Sequence, residues 1–133
     1  MKNFIEQFDF LSPLALATME AYFYNLADKM VEGYTGGSWQ DLQVGKCRAV
    51  QIPAPDSGLL HVIGAENQCD VTTDARTAGI GLSIIVANHF WHGYADKVGP
   101  KANAVFKRAS QGLKDAAFRD KTVDHSALYS IID

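Results

Sequence analysis

A double glycine between two large aromatic residues constrains this chain more than any other feature. The segment reads Tyr34-Thr35-Gly36-Gly37-Ser38-Trp39 and falls where a helical pattern gives way to an extended one. Glycine adopts positive φ at little cost, so the backbone can turn sharply there, while the two aromatic side chains supply apolar area that holds the turn on a core. Because glycine just past a helix end is a common helix stop, the plainer interpretation is a helix C-terminus followed by a strand.

Three main helices are predicted from the spacing of apolar residues. The first begins at Ser12-Pro13, where serine can cap the free amides and proline suits the first helical position. Thr73 or Asp74 is the expected cap of the second, and Gly93 its expected stop. The predicted ranges are about Pro13 to Glu32, about Ala75 to His92 and about Ala102 to Phe118.

Short extended segments separated by turn residues lie between the first two helices. Gly45-Lys46 marks one break, and prolines with an Asp-Ser-Gly triplet mark the next, at 53–58. Consecutive short strands favour an antiparallel arrangement. We therefore predict an α+β fold in which a small antiparallel β-meander of three to four strands packs against the three main helices. The predicted strands are Trp39 to Val44, Ala49 to Ile52, Leu59 to Ile63 and, as the fourth, Gln68 to Thr72.

Small residues follow one strip of the second predicted helix, at Ala75, Gly79 and Ser83. A glycine in a helix interior costs about 1 kcal/mol relative to alanine. We therefore predict that Gly79 lets this helix lie close to the sheet. The aromatic-rich segment 4–10 and the apolar segment Ser126 to Ile132 are predicted to dock as short helical turns.

Length and composition predict a single domain over residues 1–133, of which 47% are hydrophobic. The net charge is −3 and no acidic run occurs, which argues against an inhibitor that imitates the phosphate charges of a DNA duplex. Cys47 and Cys69 lack the spacing of a redox or zinc motif and are expected to be reduced thiols. The sequence predicts a cytoplasmic protein without a signal peptide or a membrane span.

The sequence offers little support for catalysis, a metal or a cofactor. His89 and His92, with Asp96 one turn further along, could share a metal, but a site needs three or four convergent ligands. A helix end packed among aromatics is the alternative interpretation of the two histidines. Since nucleophile and phosphate-binding motifs are also absent from the sequence, no catalytic residue, metal site or cofactor is predicted.

Basic residues concentrate towards the C-terminus, whereas the N-terminal half is acidic. Lys107, Lys114 and Lys121 repeat every seven residues and would share one face if the third helix extended that far. A solvated helix face is one explanation. The alternative is a basic strip that docks on phosphates or on an acidic protein surface, as in a DNA-contacting accessory protein.

Three segments resemble the ArdB/KlcA antirestriction family. They are the turn from Tyr34 to Trp39, the helix entry Thr72-Thr73-Asp74-Ala75-Arg76-Thr77-Ala78-Gly79-Ile80, and the C-terminal Ile131-Ile132-Asp133. The resemblance covers roughly Met30 to Asp133. It departs from the family at Gln40-Asp41-Leu42, where aromatics are usual, and at Leu113-Lys114-Asp115-Ala116, which lacks the usual tyrosine.

The resemblance implies a function and a binding surface. Members of that family are small α+β proteins of plasmids and other mobile elements that relieve type I restriction of incoming DNA without modifying it. By resemblance, this chain would act non-catalytically on a type I restriction-modification system or on a host factor, without a membrane partner and with DNA as the weaker alternative. The implied binding residues are Tyr34, Thr35, Gly36, Gly37, Trp39 and Asp133.

Overall fold

The computed structural model describes residues 1–64 and 68–133 and confirms the α+β class. The described residues form helices and four short strands. In chain order the elements are α1 (Lys2–Glu6), α2 (Pro13–Met30), β1 (Gln40–Val44), β2 (Cys47–Gln51), β3 (Leu59–Ile63), β4 (Asp70–Asp74), α3 (Ala75–Tyr94), α4 (Pro100–Lys107), a π-helical turn (Arg108–Gly112), α5 (Leu113–Arg119) and α6 (His125–Ile132).

The strands form two separate antiparallel hairpins, β1 with β2 and β3 with β4, in place of one meander. The reason is that α3 occupies the side of β2 on which β3 would pair. The backbone N–H of Val50 donates to the Ser83 hydroxyl at 3.1 Å, and Gly79 lies directly against the Val50 carbonyl. β3 instead meets the end of α2 through an isolated antiparallel bridge between Val31 and Val62.

The start of α2 agrees with the prediction, but its end does not. Ser12 accepts a hydrogen bond from the Ala15 amide at 3.1 Å and so caps the helix. The helix ends at Met30, before Glu32, because Val31 takes an extended conformation and joins β3.

The second main helix, α3, is capped by Asp74, which accepts from the Thr77 amide at 2.7 Å. The prediction that Gly93 stops the helix is wrong, since α3 continues through it in helical conformation to Tyr94. The prediction for Gly79 is confirmed by its close approach to β2. Ala95 follows with right-handed helical angles, so the end of α3 needs no left-handed glycine.

The segment that opens α3 also ties this helix to α6. The buried Thr77 hydroxyl donates to Asp74 at 2.9 Å and accepts from the Asp124 amide at 3.1 Å. Asp124 in turn caps α6 by accepting from the Ala127 amide at 3.1 Å. The helix entry that resembles the antirestriction family therefore has a structural role at this junction.

The third predicted helix is interrupted by the π-helical turn between Lys107 and Leu113. A π-helical turn takes in an extra residue, which rotates the following helix by roughly 100°, the angle of one residue in an α-helix. Lys107 and Lys114 therefore lie on different segments, and Lys121 lies beyond the end of α5 at Arg119. The expected single face of Lys107, Lys114 and Lys121 is not formed.

The core lies on both sides of α3, which contributes the buried residues Ile80 and Leu82 to opposite clusters. Phe4 and Phe8 are fully buried, so the N-terminal segment docks as predicted. Among the described residues, no helix is both long and apolar enough to cross a bilayer. Further large members of the two clusters are Met19, Phe23, Ile52, Phe106, Val44, Leu113, Leu128 and Ile131.

Candidate functional site

The double glycine forms the sharp turn that its sequence predicts. Gly36 and Gly37 have φ values of 94° and 120°, which glycine adopts far more readily than any other residue. Gly37 also packs against Pro53, because an added Cβ would lie 3.0 Å from the Cβ of that proline. The turn is thus held against the loop that connects β2 to β3.

Trp39 stabilises the turn through its contacts with Tyr34. Its indole nitrogen donates a hydrogen bond to the Tyr34 hydroxyl at 2.9 Å, and both side chains are half-buried. The tryptophan ring packs edge to face on three other rings, those of Phe23, Tyr24 and Tyr34, with centroids 5.8 to 5.9 Å away. Trp39 therefore helps to orient Tyr34, which also lines a groove.

This groove, which we call the turn groove, has a volume of about 350 Å³. Its walls come from the end of α2, the double-glycine turn, the proline-containing loop and the start of β3. The lining residues are Glu32, Gly33, Tyr34, Thr35, Gly36, Pro53, Ala54, Pro55, Leu59, Leu60 and His61. Three of the six predicted binding residues line this groove directly, and Gly37 and Trp39 support its wall.

His61, at the rim of the turn groove, lies between two carboxylates. Its Nδ1 is 3.2 Å from Glu32, just beyond the end of α2, and its Nε2 is 2.5 Å from Asp70 on β4. Because ionised carboxylates only accept hydrogen bonds, both contacts are satisfied when both ring nitrogens carry a proton. The hydrogen bond to Asp70, aided by the charges of Asp70 and Glu32, raises the pKa of His61 above its ordinary 6.5 against a smaller opposing effect of desolvation.

The variant His61→Gln should lower the free energy of unfolding at acidic pH and have progressively less effect as the pH rises. A histidine whose pKa is raised in the folded state stabilises that state most below its unfolded pKa of about 6.5, and this contribution is lost as the pH rises through the folded-state pKa. Urea unfolding of wild type and variant at about pH 5.5 and about pH 9 measures the difference.

His92→Gln is the matched control for this measurement, because His92 lines a different groove and faces neither Glu32 nor Asp70. If His61→Gln changed the free energy of unfolding equally at both pH values, the result would contradict the assignment of a protonated His61 between the two carboxylates.

A second groove adjoins the first at the contact between His61 and Asp70. This C-terminal groove has a volume of about 250 Å³ and is lined by Gln68, Cys69, Asp70, Val71, Tyr129, Ser130 and Asp133. Asp70 lines this groove, and His61 lines the turn groove. Asp133, the sixth predicted binding residue, thus lines a different groove from Tyr34, and the contact between His61 and Asp70 links the two grooves.

The two histidines of α3 do not converge. His89 stacks on Tyr22, with ring centroids 4.4 Å apart and an angle of 10° between planes, whereas His92 lines a separate groove beside Trp91. Within residues 1–64 and 68–133, no group of three or more His, Cys, Asp or Glu side chains is arranged to hold a metal ion. His89 thus packs among aromatic rings, as the alternative interpretation of the sequence held.

Cys47 and Cys69 are buried, and no disulfide joins them. Burial raises the pKa of both thiols above the ordinary value, which keeps them protonated. Neither cysteine is placed to act as an accessible thiolate.

Sequence reasoning does not single out Glu32, His61 or Asp70. The sequence of β3 does indicate that His61 faces outward, because side chains alternate along a strand and its neighbours Leu60 and Val62 face inward. The register of the hairpin then pairs Ile63 with Asp70 and so places Asp70 diagonally opposite His61. That register cannot be read from the sequence.

Comparison with known proteins adds one similarity. No protein-family model matches the chain. The chain is 38% identical over 69 residues to the "Putative antirestriction protein YubI" of Escherichia coli (strain K12), a match that covers 52% of this chain and 48% of that protein. The chain thus spans about half the length of the curated relative that it matches. The similarity supports a relationship to an antirestriction protein without distinguishing the ArdB/KlcA family.

Proposed function

We propose that this chain is an antirestriction protein of the ArdB/KlcA type that relieves type I restriction of incoming DNA by a non-catalytic contact. The observation that carries the proposal is the 69-residue similarity to a protein named for antirestriction. It is supported by the position of the resembling Tyr34 turn and Asp133 on two adjoining grooves.

The chemistry of the surface favours binding over a reaction. Both ring nitrogens of His61 face carboxylates, so this histidine offers no free basic nitrogen to take a proton from a substrate. The raised pKa of the buried Cys47 and of Cys69, which lines the C-terminal groove, disfavours thiolate chemistry at both positions. We therefore assign the surface to recognition of a partner.

The charge of the surface does not match that of a DNA mimic. A DNA duplex carries one negative charge for about every 1.7 Å of its axis. Among the described residues that line the two grooves, the acidic ones are Glu32, Asp70 and Asp133, and His61 lies between the first two. The proposed partner is thus the restriction system or a host factor acting on it, recognised through the shape of a preformed surface.

The structure gives less support to the alternative of a DNA-contacting helix, because the three lysines do not lie on one continuous helix. Lys107 and Lys114 lie on helical segments that the π-helical turn separates, and Lys121 follows the helix end. Each lysine is exposed, which agrees with a solvated surface.

The test is the plating efficiency of unmodified phage on a host with a type I restriction system, with and without expression of this chain. Relief predicts higher plating on the restricting host and no change on an isogenic host that lacks the system. Phage already modified against restriction controls for general effects on infection. If folded, well-expressed protein left phage plating on the restricting host unchanged, the proposal would be wrong.

A further inference from the structure

The outward face of the β3–β4 hairpin carries two exposed apolar residues on either side of His61. Leu59 and Ile63 have 53% and 38% of their surface exposed, on the same face as His61. Leu59 lines the turn groove together with Tyr34 and Pro53, and Ile63 follows on the other side of His61. These apolar side chains can pack against a bound protein segment.

The charges beside these apolar side chains are acidic. The side chains of Glu32 and Asp70 are 66% and 76% exposed, and Asp133 lines the adjoining groove. Neither groove has a lysine or arginine among its described lining residues, and His61 is the cationic group held between the first two carboxylates. A phosphate would meet repulsion here, whereas a cationic side chain would meet attraction.

The two carboxylates retain capacity for a second cation. An ionised carboxylate offers about four lone-pair sites, and each contact with His61 uses one oxygen of Glu32 or of Asp70. A lysine ammonium or an arginine guanidinium can therefore bind beside the imidazolium. Contacts between an ionised donor and a carboxylate are roughly twice as strong as neutral hydrogen bonds.

We propose that the occupant of the turn groove is an elongated protein segment that presents a lysine or arginine next to apolar side chains. The cation binds Glu32 and Asp70, and the apolar side chains pack on Tyr34, Leu59 and Ile63. This inference rests on the proposed function, since the segment belongs to the partner through which restriction is relieved.

The test compares Glu32→Lys with Asp28→Lys in the plating assay. Both residues are exposed at the C-terminal end of α2 or just beyond it, and both substitutions change the charge equally, but Asp28 does not line the groove. We expect Glu32→Lys to reduce relief of restriction about tenfold or more and Asp28→Lys to leave it unchanged. The neutral variant Glu32→Gln should give a smaller loss, and thermal unfolding of each variant must show a folded protein.

Relief retained by folded Glu32→Lys would overturn the inference while leaving the proposed function intact. Equal losses from Asp28→Lys would also overturn it, because the effect would then follow net charge. Increased relief from Glu32→Lys would assign the surface to nucleic acid instead. A wild-type chain without any relief would remove the proposed function, and this inference with it.

Discussion

Replacement of Gly79 by alanine should destabilise the fold by at least about 3 kcal/mol, the upper end of ordinary overpacking in a protein core. The added Cβ would collide with the carbonyl oxygen of Val50 and would lie 2.8 Å from Gln51 Cα and 2.9 Å from Ile52 N. These are backbone atoms of β2 and the residue after it, so no side-chain rotation can relieve the contact. The helix would have to move away from the strand, which would break the hydrogen bond between Val50 and Ser83.

Gly93→Ala is the matched control, since Gly93 lies in the same helix and an added Cβ there meets, among the described residues, no atom within 4 Å beyond its neighbours in that helix. Alanine favours a helix interior over glycine by about 1 kcal/mol, so this variant should be neutral or slightly stabilised. Urea unfolding measures both free energies. A Gly79→Ala protein as stable as Gly93→Ala would show that α3 does not lie against β2 as described.

Trp39→Ala should cost about 3 kcal/mol, the lower end of the range for large aromatic residues, because Trp39 is half-buried. The substitution removes ring contacts with Phe23, Tyr24 and Tyr34 and the hydrogen bond to the Tyr34 hydroxyl. Tyr34 would then lose the contact that orients it in the wall of the turn groove.

Trp39→Phe separates the two contributions, because phenylalanine keeps much of the ring packing but cannot donate to Tyr34. We expect it to retain most of the stability, with a loss of about 1 kcal/mol for the missing hydrogen bond. Chemical unfolding of both variants provides the measurement. A Trp39→Ala protein with wild-type stability would contradict the packing role of this residue, and loss of antirestriction by that folded protein would assign Trp39 to the contact surface.

Local signals were sufficient for much of the helical part of the fold. Ser12 and Asp74 are strong helix caps, and the apolar spacing of α2 and α3 repeats over several turns. Local sequence signals do not predict which strands pair. The separation of the two hairpins depends on Gly79 and Ser83 approaching β2, a contact between residues about thirty positions apart. The π-helical turn is not predicted, because its one glycine, Gly112, lies inside a helical pattern that continues on both sides.

Part of the candidate site could likewise be predicted from the sequence, and part could not. The turn at Gly36 and Gly37 could be predicted because positive φ strongly favours glycine. The contacts of His61 could not be predicted, since they join the segment after α2 to two strands and depend on the register of a hairpin. Position relative to other elements, rather than residue type, gives His61 its place at the groove.

The central claim is that relief of restriction depends on contact through the turn groove, and Thr35→Arg tests it most directly. Thr35 is exposed and lines the groove, so an arginine there would obstruct it and place a cation near Glu32 without disturbing the core. Thr18→Arg makes the same change at an exposed position in the middle of α2.

The measurement is phage plating on the type I restricting host with each variant expressed at equal level and with unchanged thermal unfolding. We predict that Thr35→Arg abolishes relief of restriction and that Thr18→Arg retains it. Full relief by the folded Thr35→Arg protein would contradict the claim and exclude the turn groove as the contact surface.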